Sequence, residues 1–444
     1  MTATTEHTGT TTPPGSDPTG ATAIFDARES VVRSYCRNWP AVFDVARGVH
    51  QYTEDGRRYL DFFSGAGALN YGHNHPVLKQ ALLDYLARDG VVHSLDTYST
   101  AKRDFLHAFD EVVLAPRNLD YKIQFPGPTG TNAVETALKI ARKVTGRQDV
   151  VSFTNAFHGM TLGALAVTGN SMKRAGAGTP LYHATPAPYD DYLDGETPDF
   201  MWLDRVWSDS GSGLATPAAV IVETVQGEGG LKAARAVWLR QLQELCRRHG
   251  VLLIVDDVQA GCGRTGTFFS FEDAGIEPDI VCLSKSISGY GLPMAITLMK
   301  PELDLWEPGE HNGTFRGNNP AFVTATAALR TFWADETFQR QVQARSEQLR
   351  AGLAEMAATV EGAQLRGRGL LSGVAFPETD TAGQVAAAAF ERGLLVETSG
   401  PESEVLKAMP ALTITEEEMA EGVRILLQAT RAVVGDSRKA AAAS

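Results

Sequence analysis

The sequence predicts an α/β fold: a large domain with a mainly parallel, doubly wound sheet, joined to a smaller α+β domain. Three observations carry the expectation. Short aliphatic, β-branched runs such as 251–255 and 280–283 read as parallel strands buried on both faces. Stretches with helical apolar spacing separate such runs, so strand and helix alternate between about residues 130 and 285. After about residue 325, long amphipathic patterns take over, with only short strand-like runs near 369–374 and 394–398.

Residues 1–24 are rich in Thr, Pro and Gly, with almost nothing apolar, and are expected to be a disordered tail. They have neither the basic nor the apolar region of a signal peptide. Residues 25–80 are assigned to the small domain. In them Gln51-Tyr52, Asp55-Gly56 and Arg58-Tyr-Leu-Asp-Phe62 read as a hairpin turning at Asp-Gly. A glycine-rich loop carrying His73 and His75 leads into a helix from about Val77. No carboxylate or cysteine cluster accompanies the two histidines, so no metal site is assigned.

Residues 81–325 form the expected large domain. Its strands are read at 149–153, 218–224, 251–257 and 280–283, with a helix from Ala133 and another ended by Gly250. Residues 326–432 complete the small domain, and 433–444 read as a frayed end. Gly261-Cys-Gly-Arg-Thr-Gly266 fits a dinucleotide fingerprint by letter only. Five residues, Asp256 to Ala260, separate it from the apolar run 251–255, and three phenylalanines (Phe268, Phe269, Phe271) follow where a helix should start, so it reads as a loop.

At 444 residues the chain is long enough for two or three domains. A formal net charge of -13 argues against nucleic acid as a partner. No apolar run approaches the roughly 20 residues of a membrane span. Four scattered cysteines without paired spacing fit a reducing cytoplasm.

In open α/β sheets, ligands bind at the carboxyl ends of the strands. There this chain places Asp256, Asp257 and Gln259 after one apolar run and Lys285 after the next. A fixed carboxylate and a nucleophilic amine are what pyridoxal phosphate asks of a protein. Gly127-Pro-Thr-Gly-Thr-Asn132, running into a helical stripe, adds a candidate anion site, because free N–H groups and the helix dipole meet there.

Taken together, these motifs resemble the class III (ω-amino acid) aminotransferases, fold type I enzymes dependent on pyridoxal 5'-phosphate, over roughly residues 30–430. The resemblance implies that Gly130 and Thr131 hold the phosphate and Phe157 stacks on the ring, with His158 beside it. Glu223 and Gln226-Gly-Glu-Gly-Gly230 match a Glu-Pro…Gln-Gly-Glu-Gly segment, with Thr224 in place of Pro. Asp256 matches the partner of the ring nitrogen, Gln259 the group beside the ring hydroxyl, and Lys285 the covalent anchor and proton shuttle. Thr314 matches a threonine that reaches the phosphate of the neighbouring subunit, which implies a homodimer or a higher assembly of dimers.

Within the class, Arg33-Ser-Tyr-Cys36, Leu69-Asn-Tyr-Gly-His-Asn-His-Pro76 and Gly309-Glu-His-Asn-Gly-Thr-Phe-Arg-Gly-Asn-Asn319 are most similar to the diaminobutyrate:2-oxoglutarate branch of ectoine biosynthesis. The likeness implies amino transfer from L-glutamate to the terminal aldehyde of L-aspartate 4-semialdehyde. Another diamine or ω-amino acid, an aminomutase reaction, and a non-enzymatic cofactor-binding sensor are the alternatives. Two departures bear on substrate. Lys407 stands where many class III enzymes have a carboxylate-binding arginine, and it lacks the bidentate fork; Glu228 is expected to pair with it. Ser94, Thr97 and Tyr98 depart from the branch in a region that lines the substrate pocket elsewhere in the class.

Overall fold

The computed structural model describes residues 20–193 and 200–443, with side chains no further than residue 435. Its centre is a seven-stranded sheet in the order Lys122–Gln124, Ile296–Met299, Ile280–Leu283, Leu252–Asp256, Ala219–Val222, Val150–Phe153, Ala184–Ala187. The last five in that order pair in parallel, and Ile296–Met299 runs antiparallel to both of its neighbours. Ala219–Val222 and Ile280–Leu283 are buried throughout, which is why they read as continuous apolar runs rather than alternating ones.

Helices cover both faces. Gly130–Thr145 turns Ala133, Val134, Ala137, Leu138, Ile140 and Ala141 inward and ends at Gly146 in the left-handed region. Ala236–His249 buries Trp238, Leu239, Leu242 and Leu245 and is stopped by Gly250 at φ 58°. That left-handed turn, easy only for glycine, lets the chain reverse directly into the Leu252–Asp256 strand.

Two four-stranded sheets flank the centre. One joins the hairpin strands Phe43–Arg47, His50–Thr53 and Arg58–Asp61, and Leu394–Leu395 adds in parallel to Arg58–Asp61. The other has the order Gln364–Arg368, Leu371–Ala375, Val405–Ala408, Glu397–Ser399, all antiparallel. The first and third of these strands, like Lys122–Gln124, Ala184–Ala187 and Ile296–Met299, were not read from the sequence. They are short, and several carry Gly, Arg or Pro in place of a clear apolar alternation.

The Gly261–Gly266 turn clamps the centre to this last sheet. Arg264 is fully buried: one nitrogen of its guanidinium donates to the carbonyl of Leu370 (3.1 Å) and to that of Pro410, and the other to Asn70 Oδ1 (2.6 Å). Its charge is confined to a site whose acceptors are nearly all backbone oxygens, and burial pulls its pKa down to about 9.

Two expectations at the chain ends are corrected. The tail assigned to 1–24 lies outside the described residues as far as 19, but a helix Ala23–Arg28 already begins inside it. An ion pair between Arg33 and Asp26 (2.7 Å) ties that helix to the following turn. The end expected to be frayed from 433 continues the helix Glu416–Ala443. Its final alanines have the highest intrinsic helix propensity, which an unfolded reading of small residues overlooked. The Gly130–Thr145 helix also starts three residues earlier than read, with Thr129 and Asn132 forming a reciprocal cap.

Trp238 tests the packing between helix and sheet. Its ring meets Phe153, Tyr189 and Phe200 at centroid distances of 5.0, 5.3 and 5.2 Å. Trp238→Ala is expected to cost about 3–5 kcal/mol, read as a lowered midpoint of urea unfolding with an unchanged slope.

Candidate active site

The carboxyl ends of the parallel strands open on a pocket of about 350 Å³. Its walls include Gly130, Thr131, Phe157, His158, Glu223, Glu228, Asp256, Gln259 and Lys285, so nine of the thirteen sequence-assigned residues meet at one place. The strand Leu252–Asp256 delivers Asp256 at its last residue, and the turn after Ile280–Leu283 delivers Lys285. Because those strands are neighbours in register, with Asp256 opposite Cys282, the carboxylate and the amine face the same crevice.

Asp256 accepts a hydrogen bond from Val258 N–H (3.1 Å) and is met by His158 Nδ1 at 2.7 Å. Burial pushes the His158 imidazole down, but Asp256 outweighs it and leaves the ring above its ordinary value. Glu223 takes the N–H of Phe157 (2.9 Å) and of Gly227 (3.3 Å), fixing both loops that bound the pocket. Burial lifts the Glu223 carboxyl to about 7, with His158 opposing the rise and Asp256 adding to it.

Lys285 adopts φ 52°, a left-handed conformation that is costly for a residue with a Cβ. The strain aims its side chain from the end of a buried strand into the crevice. Burial drives its amine below the ordinary lysine value; Glu228 opposes that and Lys407 adds to it. A lysine so depressed is the nucleophilic kind.

The residues present fit pyridoxal phosphate. Gly130 and Thr131 open a 16-residue helix, whose first amides have no intrahelical acceptor. A side chain at Gly130 would run into Val258 at 2.8 Å, so only glycine leaves that rim open. Gln259 Oε1 and His158 Nε2 are buried without a hydrogen-bond partner among the described residues, as expected of atoms that meet a polar ligand or hold one's neighbour in place.

Glu228 lines the pocket, and the buried Lys407 Nζ lies 2.8 Å from its Oε1 and 2.9 Å from Glu397 Oε1, and also reaches the carbonyl of Gly227 at 3.4 Å. Burial pushes Glu228 up, but Lys407 overcomes it and holds the carboxyl at about 2. Glu397 escaped the sequence reading, which took 394–398 only as a short strand. Its signal was there: a single carboxylate inside Leu394-Leu-Val-Glu397, where a buried strand tolerates none without a partner.

Thr314, Thr97, Tyr98 and Lys407 do not line the pocket of the single chain. Thr314 begins a short turn whose carbonyl is met by His93 Nε2 at 2.6 Å. Thr97 donates to the Ser94 carbonyl (2.7 Å), and Tyr98 is fully exposed. Ser94 is buried and donates to Asn319 Oδ1 (3.1 Å), clasping this loop to the one carrying Thr314. His73 and His75 are accounted for elsewhere: His73 Nε2 meets the buried Asp61 at 2.7 Å, and His75 precedes the helix Pro76–Ala87.

A mainly parallel sheet with a strained lysine and a carboxylate at its carboxyl edge defines a cofactor-dependent transferase site. The chain belongs to the class III aminotransferases, whose family model matches residues 33–430. It is 64% identical to the diaminobutyrate--2-oxoglutarate transaminase of Streptomyces avermitilis over 412 residues, covering 92% of this chain and 97% of that one. The transaminase of the same name from Halalkalibacterium halodurans is 56% identical, with coverage of 93% and 96%. Among solved structures, an ornithine aminotransferase of Toxoplasma gondii with PLP partly occupying its active site superposes with a TM-score of 0.79 at 26% identity, covering 94% of this chain and 95% of that chain.

Glu223 has a measurable consequence in cofactor-free protein. A carboxyl near 7 when folded and near 4.5 when unfolded binds its proton more tightly in the native state. That contribution to stability is complete below pH 4.5 and is lost as pH rises through 7, by up to about 3 kcal/mol. Glu223→Gln should therefore flatten the fall in melting temperature between pH 5 and 7.5, and an unaltered slope would show that Glu223 titrates normally.

Proposed function

We propose that the chain transfers the amino group of L-glutamate to the terminal aldehyde of L-aspartate 4-semialdehyde, giving L-2,4-diaminobutyrate and 2-oxoglutarate, as in ectoine-type biosynthesis. The observation that carries this reading is one pocket lined by Asp256, by Lys285 with its amine depressed by burial, and by Glu228, whose carboxylate is paired with the buried Lys407. The choice of substrate follows the names of its relatives at 64% and 56% identity.

Bound pyridoxal phosphate supplies the electron sink that makes the substrate's C–H acidic. Gly130 and Thr131 hold its phosphate, Phe157 packs on its ring, and Glu223, through Phe157 N–H, holds that loop in place. Asp256 meets the ring nitrogen, and His158 fixes the Asp256 carboxylate in one orientation. Gln259, tied by its amide to the carbonyl of Ala66 (3.0 Å), offers its free oxygen toward the ring hydroxyl. Lys285 would anchor the cofactor and then move a proton at the reacting carbon, a task helped by burial, which makes its amine give up a proton more readily than an ordinary lysine. Lys407 binds a substrate carboxylate and Glu228 is the group that the carboxylate displaces, since Lys407 already has an oxygen partner for each of its three N–H bonds.

Thr314, Thr97 and Tyr98 would act in a homodimer or an assembly of dimers, each serving the pocket of the neighbouring copy. Exposed Phe315 and Leu95 beside them supply apolar surface for that contact. The enzyme would work in the cytoplasm on small amino and oxo acids, in keeping with four free cysteines and no described helix long and apolar enough to cross a membrane.

The decisive experiment loads the enzyme with cofactor, adds one amino acid at a time, and follows conversion to the pyridoxamine form by absorbance. Glutamate and L-2,4-diaminobutyrate should both convert it, and ornithine and 4-aminobutyrate poorly. Conversion by glutamate alone would retain the class and remove the substrate. Lys285→Ala should lose the visible band of the anchored cofactor. Lys407→Ala should raise the KM for glutamate by about tenfold or more, the size of a charge-assisted contact, and an unchanged KM would dismiss Lys407.

A further inference from the structure

Three side chains, Thr131, Thr161 and Glu135, fasten the start of the Gly130–Thr145 helix to the segment that follows Phe157 and His158. Thr131 lines the pocket, and its Oγ1 lies 2.6 Å from Thr161 Oγ1. Thr161 donates in turn to Glu135 Oε1 at 2.5 Å. Glu135 stands one turn along the helix from Thr131, an i, i+4 neighbour on the same face. The same Oε1 accepts the N–H of Ala164 (3.0 Å), near the start of the helix Leu162–Ala166. Gly159 makes room for the contact, because a Cβ there would run into Thr131 Oγ1.

Proton count fixes the direction of this chain. A hydroxyl has one proton to give and lone pairs with which to accept. Glu135 Oε1 is an acceptor, since Ala164 N–H points at it, so the Thr161 proton goes to Glu135. The 2.6 Å contact between the two threonines must then take its proton from Thr131. Thr131 spends its O–H on Thr161, and its hydroxyl oxygen has only lone pairs left for anything else. Its main chain is in the opposite condition. Neither Gly130 N–H nor Thr131 N–H has an acceptor among the described residues. One residue thus offers the pocket a free amide donor and a hydroxyl that can only accept. A phosphate group presents acceptor oxygens, so it matches the amides and gains nothing from the hydroxyl as it is turned.

We propose that Glu135 is a positioning residue for the cofactor phosphate: acting through Thr161, it turns the Thr131 hydroxyl away, so that Thr131 holds the anion by its main-chain N–H. The inference rests on the phosphate lying at Gly130 and Thr131, as read above, and adds how that grip is made. A hydroxyl bonds an anion more strongly than it bonds a neutral oxygen. The brace therefore holds the cofactor less tightly than the same residues could. In return it ties the helix start to the segment after Phe157, so the places for phosphate and ring keep a fixed spacing.

The test is equilibrium binding of pyridoxal phosphate, and of pyridoxal, which lacks the phosphate, to the cofactor-free full-length enzyme, followed by absorbance. Thr131→Val removes the hydroxyl and keeps the N–H, and should leave the affinity for pyridoxal phosphate within about threefold. Thr131→Pro removes the N–H at a helix position that tolerates proline, as Pro320 shows in Asn319–Phe332. It should weaken pyridoxal phosphate about tenfold or more and pyridoxal little. Thr161→Val removes the acceptor of the Thr131 proton and frees that proton for the phosphate, so pyridoxal phosphate alone should bind about tenfold tighter. Glu135→Leu, at a half-buried position, should give the same gain, because the Thr161 proton can then turn to Thr131. Adding Thr131→Val to either variant should cancel it. A Thr131→Val enzyme that loses about tenfold for pyridoxal phosphate and nothing for pyridoxal would place the hydroxyl on the phosphate and overturn the proposal. So would the absence of a gain for pyridoxal phosphate over pyridoxal in either Thr161→Val or Glu135→Leu, the result of a brace that is only structural. If neither Thr131→Val nor Thr131→Pro alters binding, the phosphate lies elsewhere, and the reading of Gly130 and Thr131 fails together with this inference.

Discussion

A carboxylate at the end of a strand buried on both faces is the constraint from which this site follows. Asp256 continues an apolar run through the middle of the central sheet, where a lone charge would cost several kcal/mol. Val258 N–H and His158 stabilise it, and His158 in turn sits in a loop held by Glu223 through Phe157 N–H. The polar groups of the pocket are thus a connected chain from one strand end to the next. Each link is buried, so removing any one leaves its neighbour exposed to an apolar interior rather than to water.

Parallel topology puts that chain within reach of Lys285. Since Leu252–Asp256 and Ile280–Leu283 run the same way and lie side by side, their ends share one edge, and Asp256 and Lys285 face the same crevice. The left-handed backbone at Lys285 is the local cost of turning that edge inward. The surrounding packing imposes it: Ser286 Oγ is bonded to the Gly67 carbonyl (2.7 Å) and Asn70 N–H donates to Ser286 Oγ (3.0 Å), so the N-terminal loop grips the turn from outside. That loop belongs to the flanking segment joined to residues 394–395, so the geometry of the lysine depends on distant parts of the chain.

The buried centre was legible in the sequence because burial on both faces leaves a mark: β-branched runs ending abruptly in Asp256 or Lys285. The helix start at the rim of the pocket was legible as Gly130-Thr131. Much less could be read where pairing is short and solvent-facing, as in Gln364–Arg368, whose Gly367 and two arginines hide a strand. The chain ends misled because composition was taken for disorder, although alanine favours helix whatever its neighbours. Glu397 was missed for a different reason. A motif names residues that are close in sequence, and Glu397 matters only because strand register sets it beside Lys407. Thr97, Tyr98 and Thr314 show the converse limit, since a motif gives the chemistry of a residue and not its place, and none of the three lines the pocket of the single chain.

A lysine at 407, where the resemblance to class III enzymes implied an arginine, differs in more than the geometry of one contact. A guanidinium presents a planar fork that can hold a carboxylate with two parallel bonds while keeping other donors free. An ammonium has three donors arranged around a point, and here Glu228, Glu397 and the Gly227 carbonyl surround it. An incoming carboxylate therefore has to replace a partner rather than join the set. Glu228 can leave, because its side chain is about a quarter exposed and lines the pocket; Glu397, almost wholly buried and fixed by strand register, stays. The charge left at that wall after the exchange is the same as before it, one cation and two anions.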